Sequence, residues 1–263
     1  MTQPPPRDHG QGAEPGRGEG LRDPRLAGFA RGGEWDRRAP GPVLASVLAE
    51  ACGPQWRCPG AEPGELVGVL RGLAAVESWA AAARLGVIRE LIRQDDLPFP
   101  GGPRHGGLPG QWSESLTHEV ALALATSAQS ADKLMGTACE LETRLPGTGR
   151  LLAGGTLTLP KAALIAETFQ GLSDADAARA EEQLLPQLTG PTGKTFGQVG
   201  RLAAGIAAAV DPELAQRQRE AAERERSRVQ MFRERSGTAA LSGRDLPPDE
   251  ALAAYANVNA RTG

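Results

Sequence analysis

Between Leu66 and Leu91, apolar residues fall at Leu66, Val69, Leu73, Val76, Ala80, Ala83, Val87 and Leu91, every three or four positions. An α-helix turns once in about 3.6 residues, so this spacing lines one helical face, whereas a strand would alternate at every second residue. After a break the pattern returns at Leu116, Val120, Leu124, Ala128, Ala131, Met135, Ala138 and Leu141. Two long apolar stripes have to be buried against other helices. The expected fold class is mainly α: an irregular multi-helix bundle with a small C-terminal β-hairpin and a disordered N-terminal tail.

The breaks divide the chain. Residues 1–40 hold Pro4, Pro5, Pro6, Pro15, Pro24 and Pro40 with eight glycines, seven arginines and six acidic residues. Such a segment has too little apolar surface to offset the entropy of ordering it, and it reads as a disordered tail. Val43 to Ala51 fits a short helix stopped by Gly53-Pro54, so residues 41–64 form a short helix and linker, and residues 65–263 a helical domain. The first long helix ends near Gln94, and Leu97 to Gly110 is a Pro/Gly connection. Ser113 or Ser115 can cap the second, which Pro146-Gly147 stops.

Pro160 suits the first turn of a further helix, with Ile165, Phe169 and Leu172 facing inward. Ser173 then starts another, with Asp174 and Asp176 beside its free amides and Leu184, Leu185 and Leu188 closing it. Asp211-Pro212-Glu213 opens a strongly charged helix. Val229 to Arg235 and Thr238 to Ser242 are expected to pair as a hairpin around Ser236-Gly237, followed by a last helix from Pro248 to about Asn259.

The stretch LTGPTGKTF, Leu188 to Phe196, ends like a phosphate-binding loop, but that loop needs a glycine where Leu188 stands and a preceding strand. Thr195 and Gln198 instead have the spacing of a capping box, leading a helix whose inner face is Phe196, Val199, Leu202, Ile206 and Val210. No nucleotide is expected. A helix-turn-helix built from Leu159–Gly171 and Asp174–Leu185 would present Asp174, Asp176, Glu181 and Glu182 to phosphates, with only Arg179 basic, which is the wrong charge. Glu140 and Glu142 sit on alternate positions of a helix and read as solvated.

Cys52 and Cys58, close together beside prolines, could support a disulfide or half of a metal site, but with Cys139 they make an odd set without the paired spacing of a zinc site, and reduced thiols are expected. His9, His105 and His118 are scattered, and His118 has no second histidine one turn on. No metal, cofactor, nucleophile–base pair or catalytic residue is assigned. The net charge of −3 gives no global support for nucleic-acid binding, but the local field decides, and Arg217, Arg219, Arg224, Arg226 and Arg228 cluster among Glu220, Glu223 and Glu225. These five arginines are the candidate nucleic-acid contacts. The start MTQPPPRDHG lacks a basic-then-apolar leader, and no unbroken apolar run reaches about 18 residues. A cytoplasmic protein without a membrane partner is expected.

The segment Glu140–Leu172, ELETRLPGTGRLLAGGTLTLPKAALIAETFQGL, resembles an actinobacterial family, the domain of unknown function 222 or 13E12 repeat family. Its RLP lead-in, L-x-x-G-x-L turn and KA-x-x-I-x-x-T helix carry the likeness. EEQLLPQL, the DP-x-x-A-x-R segment at Asp211–Arg217 and GTAALSGRDLPPDEA at Gly237–Ala251 continue it. The likeness covers roughly residues 65–263. Members of that family commonly stand before an HNH endonuclease module, on mobile or repeated elements. The resemblance therefore implies a non-catalytic accessory domain that contacts DNA or mediates assembly, as a homo-oligomer or with a nuclease partner. Two alternatives follow: the N-terminal fragment of an HNH endonuclease whose nuclease module is missing or separately encoded, or a helical protein-interaction module. An HNH core needs clustered histidines to activate water and hold a metal, and the sequence has none, so catalysis by this chain is not expected.

Overall fold

The computed structural model describes residues 22–95, 108, 110–190, 193–213, 216, 228–233, 238–244 and 248–259. In these it is mainly helical: a 3-10 helix, Pro24–Phe29, then α1 (Pro42–Cys52), α2 (Pro63–Arg93), α3 (Glu114–Ala123), α4 (Ala128–Thr143), α5 (Pro146–Ala153), α6 (Leu159–Phe169), α7 (Asp174–Leu188), α8 (Phe196–Val210), strands β1 (Arg228–Arg233) and β2 (Ala239–Arg244), and α9 (Pro248–Asn259). The chain divides into two compact units, Met1–Glu77 and Ser78–Gly263, so the division falls inside α2.

The first unit corrects the expectation of a disordered tail through residue 40. Residues 1–21 lie outside the described residues, but residues 22–40 fold as part of this unit. Asp23 caps the 3-10 helix, accepting from the Arg25 amide at 2.8 Å. Leu26 and Phe29 are fully buried with Leu44, Leu48 and Val69. Composition hid this because two apolar residues suffice when the facing helix comes close. Gly68 of α2 meets the Phe29 carbonyl so tightly that a Cβ there would stand 1.7 Å from its oxygen. Asp36 then ties the segment down, receiving Arg71 Nη2 at 2.6 Å and the Gly32 amide at 2.7 Å.

In the second unit, Leu85, Ile88 and Ile92 of α2 join a core that runs through α3 to α8, and Ala81 on the same face is buried too. The stripe expected to be buried in this half of α2 is shifted. Val87 is 63% exposed and Leu91 40%, because Ala81–Ile92 offers a second apolar face with the same spacing. Over 18 residues α2 reaches a mean hydropathy of 1.4, and by length and composition it could cross a membrane.

The second stripe faces inward as expected, with Ala131, Met135 and Ala138 fully buried. It belongs to two helices rather than one. Ala125 takes a left-handed φ of 49°, and Ser127 recaps the chain by accepting from the Ser130 amide at 3.1 Å. Pro146-Gly147 begins α5 rather than ending a helix, since proline is suited to a first turn. Ser173 caps α7, and Thr195 with Gln198 forms the expected reciprocal capping box on α8. Phe196, expected inside, is 52% exposed.

The hairpin expected from Val229–Arg235 and Thr238–Ser242, closed by Ser236-Gly237, does not form, and that part of the fold class is corrected. β1 and β2 instead pair as an antiparallel ribbon with residues 234–238 between them, Met231 opposite Leu241 and Gln230 opposite Ser242. A tight turn at Ser236-Gly237 would have set Met231 opposite Ser242. The observed register, one residue away, sets Met231 opposite Leu241, Phe232 opposite Ala240 and Gln230 opposite Ser242, and leaves Arg233 facing Ala239.

Candidate functional site

Of the five candidate contacts, Arg217, Arg219, Arg224 and Arg226 lie outside the described residues. Arg228 opens β1, where the register sets it opposite Arg244; Arg233 ends the same strand opposite Ala239. The two strands, RVQMFR and AALSGR, contain three arginines and no acidic residue. In a chain of net charge −3 this concentrates positive charge on one ribbon. Like charges directly opposite each other destabilise a bare sheet, and an anion between them removes that penalty.

Two charged groups of the second unit hold helix ends together. Arg144, the arginine of the RLP lead-in, has a side chain only 10% exposed. It lies 2.7 Å from Glu140 Oε2 and 2.9 Å from Asp174 Oδ1, and donates to the carbonyls of Leu172 and of Phe169, the latter at 3.3 Å. One guanidinium thus joins the end of α4 to the α6–α7 turn. Glu181, 6% exposed, accepts from the Gly147 amide at 3.1 Å and the Thr148 amide at 2.7 Å, so a carboxylate from α7 caps the free N-terminal amides of α5. A Cβ at Gly147 would stand 2.9 Å from Glu181 Oε2 and 2.4 Å from Leu185 Cδ1, so a larger residue there would push the capping carboxylate aside.

Glu140 and Glu142 are not simply solvated, as their spacing suggested. Glu140 holds Arg144, and Glu142 lies 3.2 Å from Arg89 Nε and 3.6 Å from Arg93 Nη2. An open groove of 560 Å³ runs beside this pair, lined by Trp79, Gly86, Arg89, Leu141, Glu142 and Arg150 among others. Its one carboxylate is the ion-paired Glu142, which leaves no acid–base couple among the lining residues. His118 is exposed, with Nδ1 2.8 Å from the Glu114 carbonyl oxygen one turn back. Among the described residues no three His, Cys, Asp or Glu side chains converge as a metal site requires.

Two carboxyls in the first unit are held below the usual Asp range: Asp23 by its hydrogen bonds from Arg25, and Asp36 by the Gly32 amide and then by Arg71. Both shifts follow from hydrogen bonds to the charged form. Burial pushes the Cys52 thiol up to about 12, with a hydrogen bond to Cys58 adding to the effect. Sequence reasoning assigned no structural role to Arg144 or Glu181, and it expected the Cys52 and Cys58 thiols to be reduced. The signal present was the RLPGTG string, whose proline and two glycines mark a helix start and a close approach.

No curated protein and no solved structure matches the chain. The family model described as a domain of unknown function, DUF222, matches residues 73–257, from within α2 to within α9. With more than two-thirds of its length inside that match, the chain belongs to the DUF222 family.

Proposed function

We propose that this chain is a non-catalytic accessory domain of an HNH-endonuclease-type protein that contacts DNA through the β1–β2 ribbon and the arginine-rich stretch before it. The observation that carries this reading is the ribbon's charge: Arg228, Arg233 and Arg244 without one acidic residue, two of them directly opposed. A two-stranded ribbon fits the width of the DNA major groove, and arginines along it can reach the phosphates on either side. Arg217, Arg219, Arg224 and Arg226 extend the same positive stretch along the sequence. Among the described residues, the buried charges of the core, Arg144 and Glu181, are taken up by internal contacts.

The test is a double charge reversal, R228E/R244E, titrated against a fluorescent duplex at low salt. Affinity is expected to fall by about tenfold or more, with the circular dichroism spectrum unchanged. Equal affinity in the folded variant removes the ribbon from the reading. A second reading, assembly with another copy or a nuclease partner, is favoured by Leu252 and Tyr255, each 69% exposed on α9. Under that reading the charge reversal leaves duplex affinity where it was.

A further inference from the structure

The function proposed above leaves one cluster of the first unit unused. Cys52 is the last residue of α1, and Gly53 after it takes a left-handed φ of 67° that ends the helix. Five residues later the chain has returned, so that Cys52 and Cys58 are both buried in one small core with Leu48, Ala51 and Val69. The two thiols belong to one cluster of packed buried side chains, and the presence of Cys58 adds to the burial that keeps the Cys52 thiol protonated.

The connecting turn is unusual in its backbone. Among the described residues three non-glycines have positive φ, and two of them are in this turn: Trp56 at 54° and Cys58 itself at 45°. L-residues in that region are strained, and such strain persists where the surroundings enforce it, which is why it gathers at switches and reactive sites. Here the strained turn has one visible result, which is to bring Cys58 back to Cys52. Both are reduced in this structure.

We infer that Cys52 and Cys58 form a reversible intramolecular disulfide that staples the end of α1 to the following turn. The co-reactant is a small-molecule disulfide of the glutathione type. Cys58 lies outside the helix and is the less buried of the two, 7% exposed against 3%, so it meets the oxidant first. Its thiol gives up a proton and the thiolate attacks one sulfur of the co-reactant, breaking that S–S bond and expelling one thiolate. Cys52 then loses its proton and attacks the Cys58 sulfur of the mixed disulfide. The Cys52–Cys58 bond forms and the second thiolate leaves. Two electrons pass to the co-reactant, and its two thiolates take up the two protons. Cys139 belongs to the other unit and takes no part.

The full chain, equilibrated in buffers from reduced to oxidised glutathione, is quenched in acid, denatured, and treated with a thiol alkylating agent before intact and peptide mass measurement. The oxidised chain is expected to carry one alkyl group, on Cys139, and to yield a cross-linked peptide pair containing Cys52 and Cys58. Dithiothreitol should restore all three labels. C139S should oxidise as the parent does, and C58S should give no intramolecular cross-link. Three labels at every buffer ratio overturn the inference, as does a cross-link that uses Cys139 or joins two chains.

Discussion

Replacing Phe169 with alanine should lower the unfolding free energy of the second unit by about 3–5 kcal/mol. Phe169 ends α6 fully buried, in one core with Met135, Leu145 and Ile165, so truncation removes the transfer energy of a ring and leaves a cavity in that core. A domain with roughly 5–15 kcal/mol of net stability feels a loss of that size as a large shift in midpoint. Phe196 is the matched control. It is the same residue type at 52% exposure, and F196A should cost less than about 0.5 kcal/mol. Urea unfolding of both variants gives the comparison, and equal costs would contradict the assignment of the core.

Arg144→Met should cost about 2–4 kcal/mol, an estimate held below the value for a fully buried ion pair because Asp174 is 58% exposed. Methionine keeps most of the arginine stem, so little packing is lost. What goes is the only donor group on the carbonyls of Phe169 and Leu172 that the described residues supply from a side chain, together with the cation beside half-buried Glu140. Leaving such groups desolvated and unpartnered costs more than the hydrogen bonds themselves contribute. The double variant R144M/E140Q separates the two effects. Removing the orphaned carboxylate should recover part of the loss, whereas strictly additive losses would mean that Arg144 and Glu140 do not act as a pair.

These two positions show what the sequence made legible. Phe169 could be read directly: a helix led by Pro160, with Ile165 and Phe169 one turn apart, has one sensible inward face. Arg144 could not be. Its string supported a family likeness, but its partners lie 25 to 30 residues further along the chain, and side-chain hydrogen bonds over such separations leave no periodicity. Glu181 was misread for the same reason. Counted as a charge on the α7 surface it argued against a DNA-facing helix, while in the fold it points at the amides of α5.

The second half of α2 failed differently. Ala80, Ala83, Val87 and Leu91 compete with Ala81, Leu85, Ile88 and Ile92, and a helix apolar on two faces does not say which is buried. In the tail, composition outweighed two residues, Leu26 and Phe29, that become core only because Gly68 lets α2 approach. The ribbon register turned on a single position, which turn propensity at Ser236-Gly237 set one residue away from the observed pairing.

The charge on that ribbon carries the functional account, and salt dependence tests it most directly. The full chain should be titrated with a labelled duplex at several salt concentrations between about 50 and 200 mM. If Arg228, Arg233 and Arg244 each neutralise a phosphate, log affinity falls linearly with log salt, with a slope of roughly −3, or steeper where the preceding arginines join in. Affinity that does not change with salt, or no binding at the lowest concentration, contradicts the account and leaves assembly through the exposed residues of α9 as the reading to pursue.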